Sequence, residues 1–392
     1  MEFIDEVCDK YGYDEEIKIA ISKIFPVMVE QYGENRKSDI IEMFNDVRIF
    51  KSKDMSKSTQ SKIEDIMTSN INKNVNFIDE NPYEDDNEPG SYYSSLPIFN
   101  ENLESTETRK WIVIKDMEGT IYGNEYKNTF GTYINIPYFI HELGHAFAMN
   151  KSKAVISGNT LHLKRGMFET ISEVQNMDDK VNIIEKENKY IIIEEMLNEK
   201  ETQDMLCKYM GLESYVEVNS RLNQIKHVGT SYSPVLISLA NKMEEVIGRE
   251  DLLSLRVDNN MKIKENFKQM AKKSQIYKKY LNNKDAFEYL DEKIFELFKL
   301  KLSCYKMSVD QYKEQTSRKM VDAFASLCAY EESINPEKMN EPKYTNIRNN
   351  ILEQYEKNTL KEVLKTQIKD DIDISTNSSS DSLELKKENM VK

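Results

Sequence analysis

The fold of this chain is decided at residues 138–149, which read YFIHELGHAFAM. Apolar residues stand on both sides of two histidines, so a helix here is apolar almost all round and is expected to be buried. Pro137 precedes the stretch, at a position that the first turn of a helix tolerates. On such a helix His141 and His145, four residues apart, lie on one face. Because buried imidazoles need partners, the sequence predicts a site at this face.

The residues from His141 to His145 match the pattern H-E-x-x-H, in which two histidines bind Zn²⁺ and Glu142 acts on a water held by the metal. The chain has 4 histidines in 392 residues, and a chance match is expected in about 0.4% of such chains. The alternative is an ordinary core helix whose two imidazoles are hydrogen-bonded.

A catalytic zinc held by two histidines needs a third protein ligand and keeps one position open for water. The helix predicted at residues 191–206 has an inward stripe made of Ile192, Met196, Leu206 and Tyr209. Glu195, Glu199 and Thr202 are in phase with this stripe, whereas Glu194 and Glu201 turn aside. Since a buried carboxylate is costly unless it is paired or bound to metal, both in-phase glutamates are candidate ligands. The alternative is a polar helix whose apolar stripe breaks in its middle.

Together these motifs resemble the gluzincin branch of the zincin metallopeptidases, over roughly residues 90–265. Residues 195–202, EMLNEKET, are similar to the E-G-x-[NT]-E-x-x-T helix of uncharacterised H-E-x-x-H proteins from AT-rich Gram-positive bacteria. That likeness implies Glu195 as the zinc ligand, although Met196 stands where the pattern has glycine. The pair Asn198-Glu199 also resembles the N-E ligand motif of thermolysin-like enzymes, which implies Glu199. A stretch around Asp322 resembles the acidic-x-Phe-Ala helix of other zincins and makes that residue a third alternative.

The resemblance implies a zinc metalloendopeptidase acting on a protein or peptide substrate. Zinc lowers the pKa of a bound water, Glu142 takes its proton, and the hydroxide attacks a carbonyl. His227 and Tyr232 lie in a loop downstream and are candidates for the donor that stabilises the oxyanion. The alternative function is a metal-binding regulatory or interaction protein with little or no catalytic activity.

The predicted fold class is α+β, with a zincin-like core of a small mixed sheet and an active-site helix between helical regions. The predicted boundaries are a helical N-terminal region at 1–78, an acidic linker at 79–90, the core at 91–265, a helical C-terminal region at 266–368 and a disordered tail at 369–392.

Within the predicted core, β-branched and aromatic residues indicate strands at 111–114, 120–122, 132–136 and 190–193. Gly158-Asn159 indicates a hairpin turn between strands 154–157 and 160–163, with His162 as an exposed strand residue. Residues 132–136 are the predicted edge strand that binds an extended peptide by strand addition.

The composition of the chain limits which binding partners and which cellular compartment are expected. The net charge of −14 argues against nucleic acid and anionic membrane as partners. The sequence has no run of 18 apolar residues, so no membrane span is expected. Its first residues do not show the basic segment followed by an apolar segment that is typical of a signal peptide, so no signal peptide is expected either. Four widely spaced cysteines suggest no disulfide and fit a reducing cytoplasm, with export by a signal-free route as the alternative. The sequence does not indicate an oligomeric state.

Overall fold

A computed structural model describes residues 2–69, 75–78, 91–99, 105–177, 180–224, 234–258, 260–274, 277–281 and 284–334. The predicted linker at 79–90, the predicted tail at 369–392, and His227 and Tyr232 lie outside these ranges. The protein is an α+β protein, as predicted, and it contains two small sheets where one was expected. It forms two compact units, one made of residues 1–191 and 198–230 and the other of residues 192–197 and 231–392.

The first unit begins with helices, as expected from the helical region predicted at residues 1–78. Its helices are α1 (Glu2–Tyr11), α2 (Glu15–Tyr32), α3 (Lys37–Asp46), α4 (Lys57–Met67), α5 (Gly123–Phe130), α6 (Ile136–Ala148), most of α7 (Ile191–Met210) and α8 (Tyr215–Gln224). Residues 1–78 also contain two strands, β1 (Val47–Ser52) and β2 (Val75–Ile78), that the prediction of a helical region did not include. Val47 was expected on a helix, but the alternating run that it starts pairs in parallel with a later strand.

One sheet of the first unit supports α6. Its strands run in the order β1, β4 (Ser105–Lys115) and β3 (Ser91–Phe99), and β3 is antiparallel to β4. Strand β4 confirms the prediction at residues 111–114. Trp111 and Val113 face a core cluster with Met67 of α4, while Ile112 and Ile114 on the opposite face are fully buried. The apolar run of β4 is therefore covered on both faces.

The second sheet has five strands in the order β2, β8 (Lys180–Lys189), β7 (Phe168–Met177), β6 (Thr160–Arg165) and β5 (Lys153–Ser157). Strands β5 and β6 form the hairpin predicted around Gly158-Asn159, with Ser157 paired to Thr160. Gly158 has a φ of +59°, the left-handed conformation that such a turn requires. His162 lies on β6 with a side chain that is 38% exposed, and its Nδ1 is 3.2 Å from Glu169 Oε1.

Two strands predicted near the motif helix are absent from the described structure. Residues 120–122 form turns before α5, in which Gly123 N donates to Thr120 O. Residues 132–136 contain only an isolated bridge between Ile134 and Asp116, and α6 already begins at residue 136. The cause is a side chain distant in sequence, because Glu16 accepts hydrogen bonds from Thr132 Oγ1 and from the Tyr133 amide that a ladder would need.

The strand predicted at residues 190–193 is also wrong. Tyr190 is the one non-glycine residue with positive φ in the described ranges, at 64°, and α7 follows it directly. Strand β8 therefore ends at Lys189, and three consecutive isoleucines open a helix. A short apolar run of this kind does not by itself distinguish a buried strand from a buried helix.

The second unit is helical over the residues that the structure describes, as expected from its sequence. Its helices are α9 (Pro234–Ile247), α10 (Arg249–Val257), α11 (Lys262–Ala271), α12 (Ala286–Leu302) and α13 (Val309–Ile334), together with Ile192–Leu197 of α7. Leu239 and Met243 of α9 and Ile294 of α12 are fully buried, so each of these helices has an apolar side in the core. In the described part of the chain, none of the helices combines the length and the apolar character that crossing a bilayer requires. All four cysteines are free thiols.

Candidate metal centre

Helix α6 carries the two histidines in the position that the sequence predicts. It begins at Ile136, Pro137 lies in its first turn, and Asn135 caps it by accepting a hydrogen bond from the Tyr138 amide at 3.5 Å. His141 and His145 are 7% and 5% exposed. Two ionisable rings are thus fixed in a largely dry setting, where each needs a polar partner.

The two imidazoles face each other on one side of α6. Their Nε2 atoms are 3.1 Å apart, and the ring planes meet at 83°. Glu195 of helix α7 completes a group of three, in which one ligand atom from each residue lies within 4.8 Å of the others. His141, His145 and Glu195 could therefore hold a metal ion together. This arrangement is the one expected if Glu195 is the third ligand.

The donor set fits a divalent metal ion. Two nitrogens that each lie about 2.0–2.1 Å from one tetrahedral ion are about 3.3 Å apart. The observed separation of 3.1 Å between the Nε2 atoms of His141 and His145 is close to that value. Two imidazole nitrogens with one carboxylate oxygen are also the protein ligands of a common type of catalytic zinc site.

Glu199, the alternative ligand, has a different position. Its side chain is fully buried, and its Oε2 lies 3.3 Å from Nδ1 of His141, the ring nitrogen away from His145. Its other oxygen accepts a hydrogen bond from Gln203. A carboxylate behind a metal-binding histidine fixes the ring orientation and raises the basicity of the ring.

Glu142 also receives a contact that the sequence did not suggest. Ser91, the first residue of β3, donates its hydroxyl to Glu142 Oε1 at 3.1 Å, and both side chains are buried. The alternation of β3 alone could not indicate this contact, because it joins residues 51 positions apart. The hydrogen bond holds the carboxylate of Glu142 in one orientation.

Tyr138 is a second residue that the sequence analysis missed. Burial raises the pKa of its phenol, and the negative charges of Glu199 and Glu142 raise it further. The phenol of Tyr138 therefore stays protonated at neutral pH, one turn before the histidines.

Two other positions considered in the sequence analysis are not members of this group. Asp322 is on α13 in the second unit and is not a member of the metal-capable group. Burial raises the pKa of its carboxyl, while Lys293 nearby acts to lower it. Glu194 turns aside from the histidines as predicted, but it is buried in an ion pair with Arg256.

Comparisons of the chain with protein-family models, with curated proteins and with solved structures found no match.

Proposed function

We propose that this chain is a zinc-dependent metallopeptidase with a zincin-like core. The observation that carries the proposal is the group formed by buried His141 and His145 with partly buried Glu195, together with the buried Glu142 that lies between the two histidines in the sequence. A bound Zn²⁺ would activate a water molecule as the nucleophile and polarise the scissile carbonyl. The three ligand side chains would hold the ion, and Glu199 would orient the ring of His141 from behind.

Glu142 would serve as the general base and then as the general acid. It is one residue from His141 on the same helix, and the hydroxyl of Ser91 fixes its carboxylate. Its oxygens would accept a proton from the attacking water and deliver it to the leaving amine. Tyr138, protonated at neutral pH, is a candidate donor to the developing oxyanion, besides the earlier candidates His227 and Tyr232.

Strand β3 is the proposed docking edge for an extended peptide, in place of residues 132–136. Among the described strands it pairs only with β4, and its other edge is the one that we propose for strand addition. Its first residue, Ser91, contacts Glu142, so a peptide added along β3 would pass close to the general base. Part of this edge is occupied, because Arg165 donates to the carbonyl of Ser95 at 3.3 Å.

The substitution Glu142→Gln tests the proposed chemistry. Glutamine keeps the size of the side chain but cannot take up the proton, so the variant should retain zinc and lose at least about 100-fold in cleavage rate. Cleavage is followed by mass spectrometry on a peptide library derived from a denatured proteome. Glu125→Gln, at an exposed carboxylate of α5, is the matched control and should cleave like the wild type.

Two results would contradict the proposal. Equal cleavage by the wild type and the Glu142→Gln variant would remove Glu142 from the chemistry. A wild-type protein that binds stoichiometric zinc and cleaves nothing would favour the alternative, a metal-binding regulatory or interaction protein.

A further inference from the structure

Asn198 makes an unusual contact between the two helices of the candidate metal centre. Its side chain is fully buried, and its Nδ2 donates to the backbone carbonyl of His141 at 2.8 Å. The side-chain amide thus holds the main chain of α6 at the position of the first histidine. A buried hydrogen bond of this kind fixes both the distance between two helices and their register.

Gly144 provides the space for this contact. A Cβ atom at position 144 would lie 2.2 Å from Asn198 Oδ1 and 3.1 Å from its Cγ. Real carbon and oxygen atoms do not approach so closely without displacement, and Oδ1 belongs to a side chain whose other end is held by His141. The second variable position of the H-E-x-x-H pattern is therefore constrained in this chain by a residue of α7.

The same face of α7 carries four residues directed at the site: Glu195, Asn198, Glu199 and Thr202. Their spacing of i, i+3, i+4 and i+7 is that of one helical stripe. Thr202 Oγ1 donates to the Asn198 carbonyl at 2.8 Å and lies 3.5 Å from His141 Nδ1. A displacement of α7 that broke the Asn198 contact would move Glu195 with it, because both belong to one continuous helix.

We propose that Asn198 is a positioning residue that, with Gly144 opposite it, sets the separation of α6 and α7 and thereby places Glu195 at the distance from the histidines that metal binding requires. This inference rests on the proposed function. It adds a role for two residues that contribute no ligand atom. Asn198 acts through the backbone of His141, and Gly144 acts by having no side chain.

A double-mutant cycle on Gly144→Ala and Asn198→Ala tests the proposal, with the zinc dissociation constant as the readout. Zinc affinity is measured by competition with a chromophoric chelator, and the fold is monitored by circular dichroism and thermal unfolding of the metal-free protein. Each single substitution should weaken zinc binding at least about tenfold, the usual size of an effect transmitted through a ligand's support. In the Asn198→Ala background, Gly144→Ala should weaken it by less than about threefold, because the clashing oxygen is gone.

Asn198→Asp separates the hydrogen bond from the shape of the side chain, since aspartate retains the size but not the Nδ2 donor, and it should bind zinc as weakly as Asn198→Ala. If Gly144→Ala does not fold, its rescue by Asn198→Ala becomes the readout, and a double variant that is equally unfolded overturns the inference. Additive effects of the two substitutions on zinc affinity would also overturn it.

If His145→Ala binds zinc like the wild type, the proposed metal site itself fails. If His145→Ala loses zinc while the cycle is additive, only the role of Asn198 is refuted.

Discussion

The buried ion pair between Glu194 and Arg256 allows a quantitative prediction about the stability of the second unit. Arg256 of α10 donates from Nε and Nη2 to the same carboxylate oxygen of Glu194, at 3.0 and 2.6 Å. The two side chains are 2% and 1% exposed. Charge centres about 4 Å apart attract by about 4 kcal/mol at an effective dielectric constant of about 20, and this attraction offsets the cost of removing both ions from water.

Arg256→Met should lower the free energy of unfolding by about 3–5 kcal/mol, because it leaves the Glu194 carboxylate buried without its charged partner. The paired substitution Glu194→Met with Arg256→Met removes both charges and keeps apolar volume. It should restore the stability to the wild-type value or exceed it by about 1–4 kcal/mol.

The measurement is urea unfolding of the metal-free protein followed by far-ultraviolet circular dichroism. Chelator is present throughout, so that lost metal binding does not add to the loss of stability. A loss below about 1 kcal/mol for Arg256→Met would refute the reasoning, because it would mean that water reaches the carboxylate. A double variant no more stable than the single one would refute it too, since the cost would then come from packing and not from an unpaired charge.

Two further predictions concern the support of His141 and a buried lysine of β4. Glu199→Gln removes the negative charge that faces His141 Nδ1 and should weaken zinc binding about 10- to 100-fold in a chelator competition assay, whereas Glu201→Gln, on the same helix but turned aside, should leave it unchanged. Lys110 is 5% exposed, and burial lowers the pKa of its amine from the ordinary value of 10.5. Below 10.5 the unfolded chain still binds a proton that the folded chain has released, so this residue makes stability rise with pH in the window just under 10.5. Lys110→Met, which also removes two hydrogen bonds to Asn150, should therefore fall further behind the wild type in thermal unfolding at pH 10 than at pH 8. An equal gap at both values would show that the amine keeps its proton.

Local periodicity was sufficient to predict the helices of the metal centre. The apolar surroundings of His141 and His145 and the proline before them indicated α6, and the structure has that helix from Ile136 to Ala148. The phase of α7 separated Glu195, which joins the histidines, from Glu201, which accepts a hydrogen bond from Tyr32. Both inferences need only the recurrence of apolar residues at helical spacing, about every 3.6 residues, which can be read from the sequence.

Contacts between residues far apart in the chain could not be predicted from local periodicity. Residues 132–136 have the composition of a strand, yet Glu16, more than 110 positions upstream, takes up the Tyr133 amide. Ser91 reaches Glu142 across 51 residues. Glu199 was predicted as an alternative metal ligand, whereas its carboxylate faces the ring nitrogen of His141 that points away from His145. Glu195 and Glu199 lie one helical turn apart on the same stripe, and which of them is the ligand depends on side-chain direction, which a helical stripe about 100° wide does not resolve.

Zinc stoichiometry is the measurement that tests the central claim most directly. Elemental analysis of the purified protein, with titration of the metal-free form, should give one zinc per chain for the wild type and for Asp322→Ala. The His145→Ala and Glu195→Ala variants should hold well below one at the same free zinc concentration, because each lacks one of the three ligands. Equal zinc in all four proteins would contradict the account. Full zinc in Glu195→Ala with loss in Asp322→Ala would place the third ligand on α13 instead of α7.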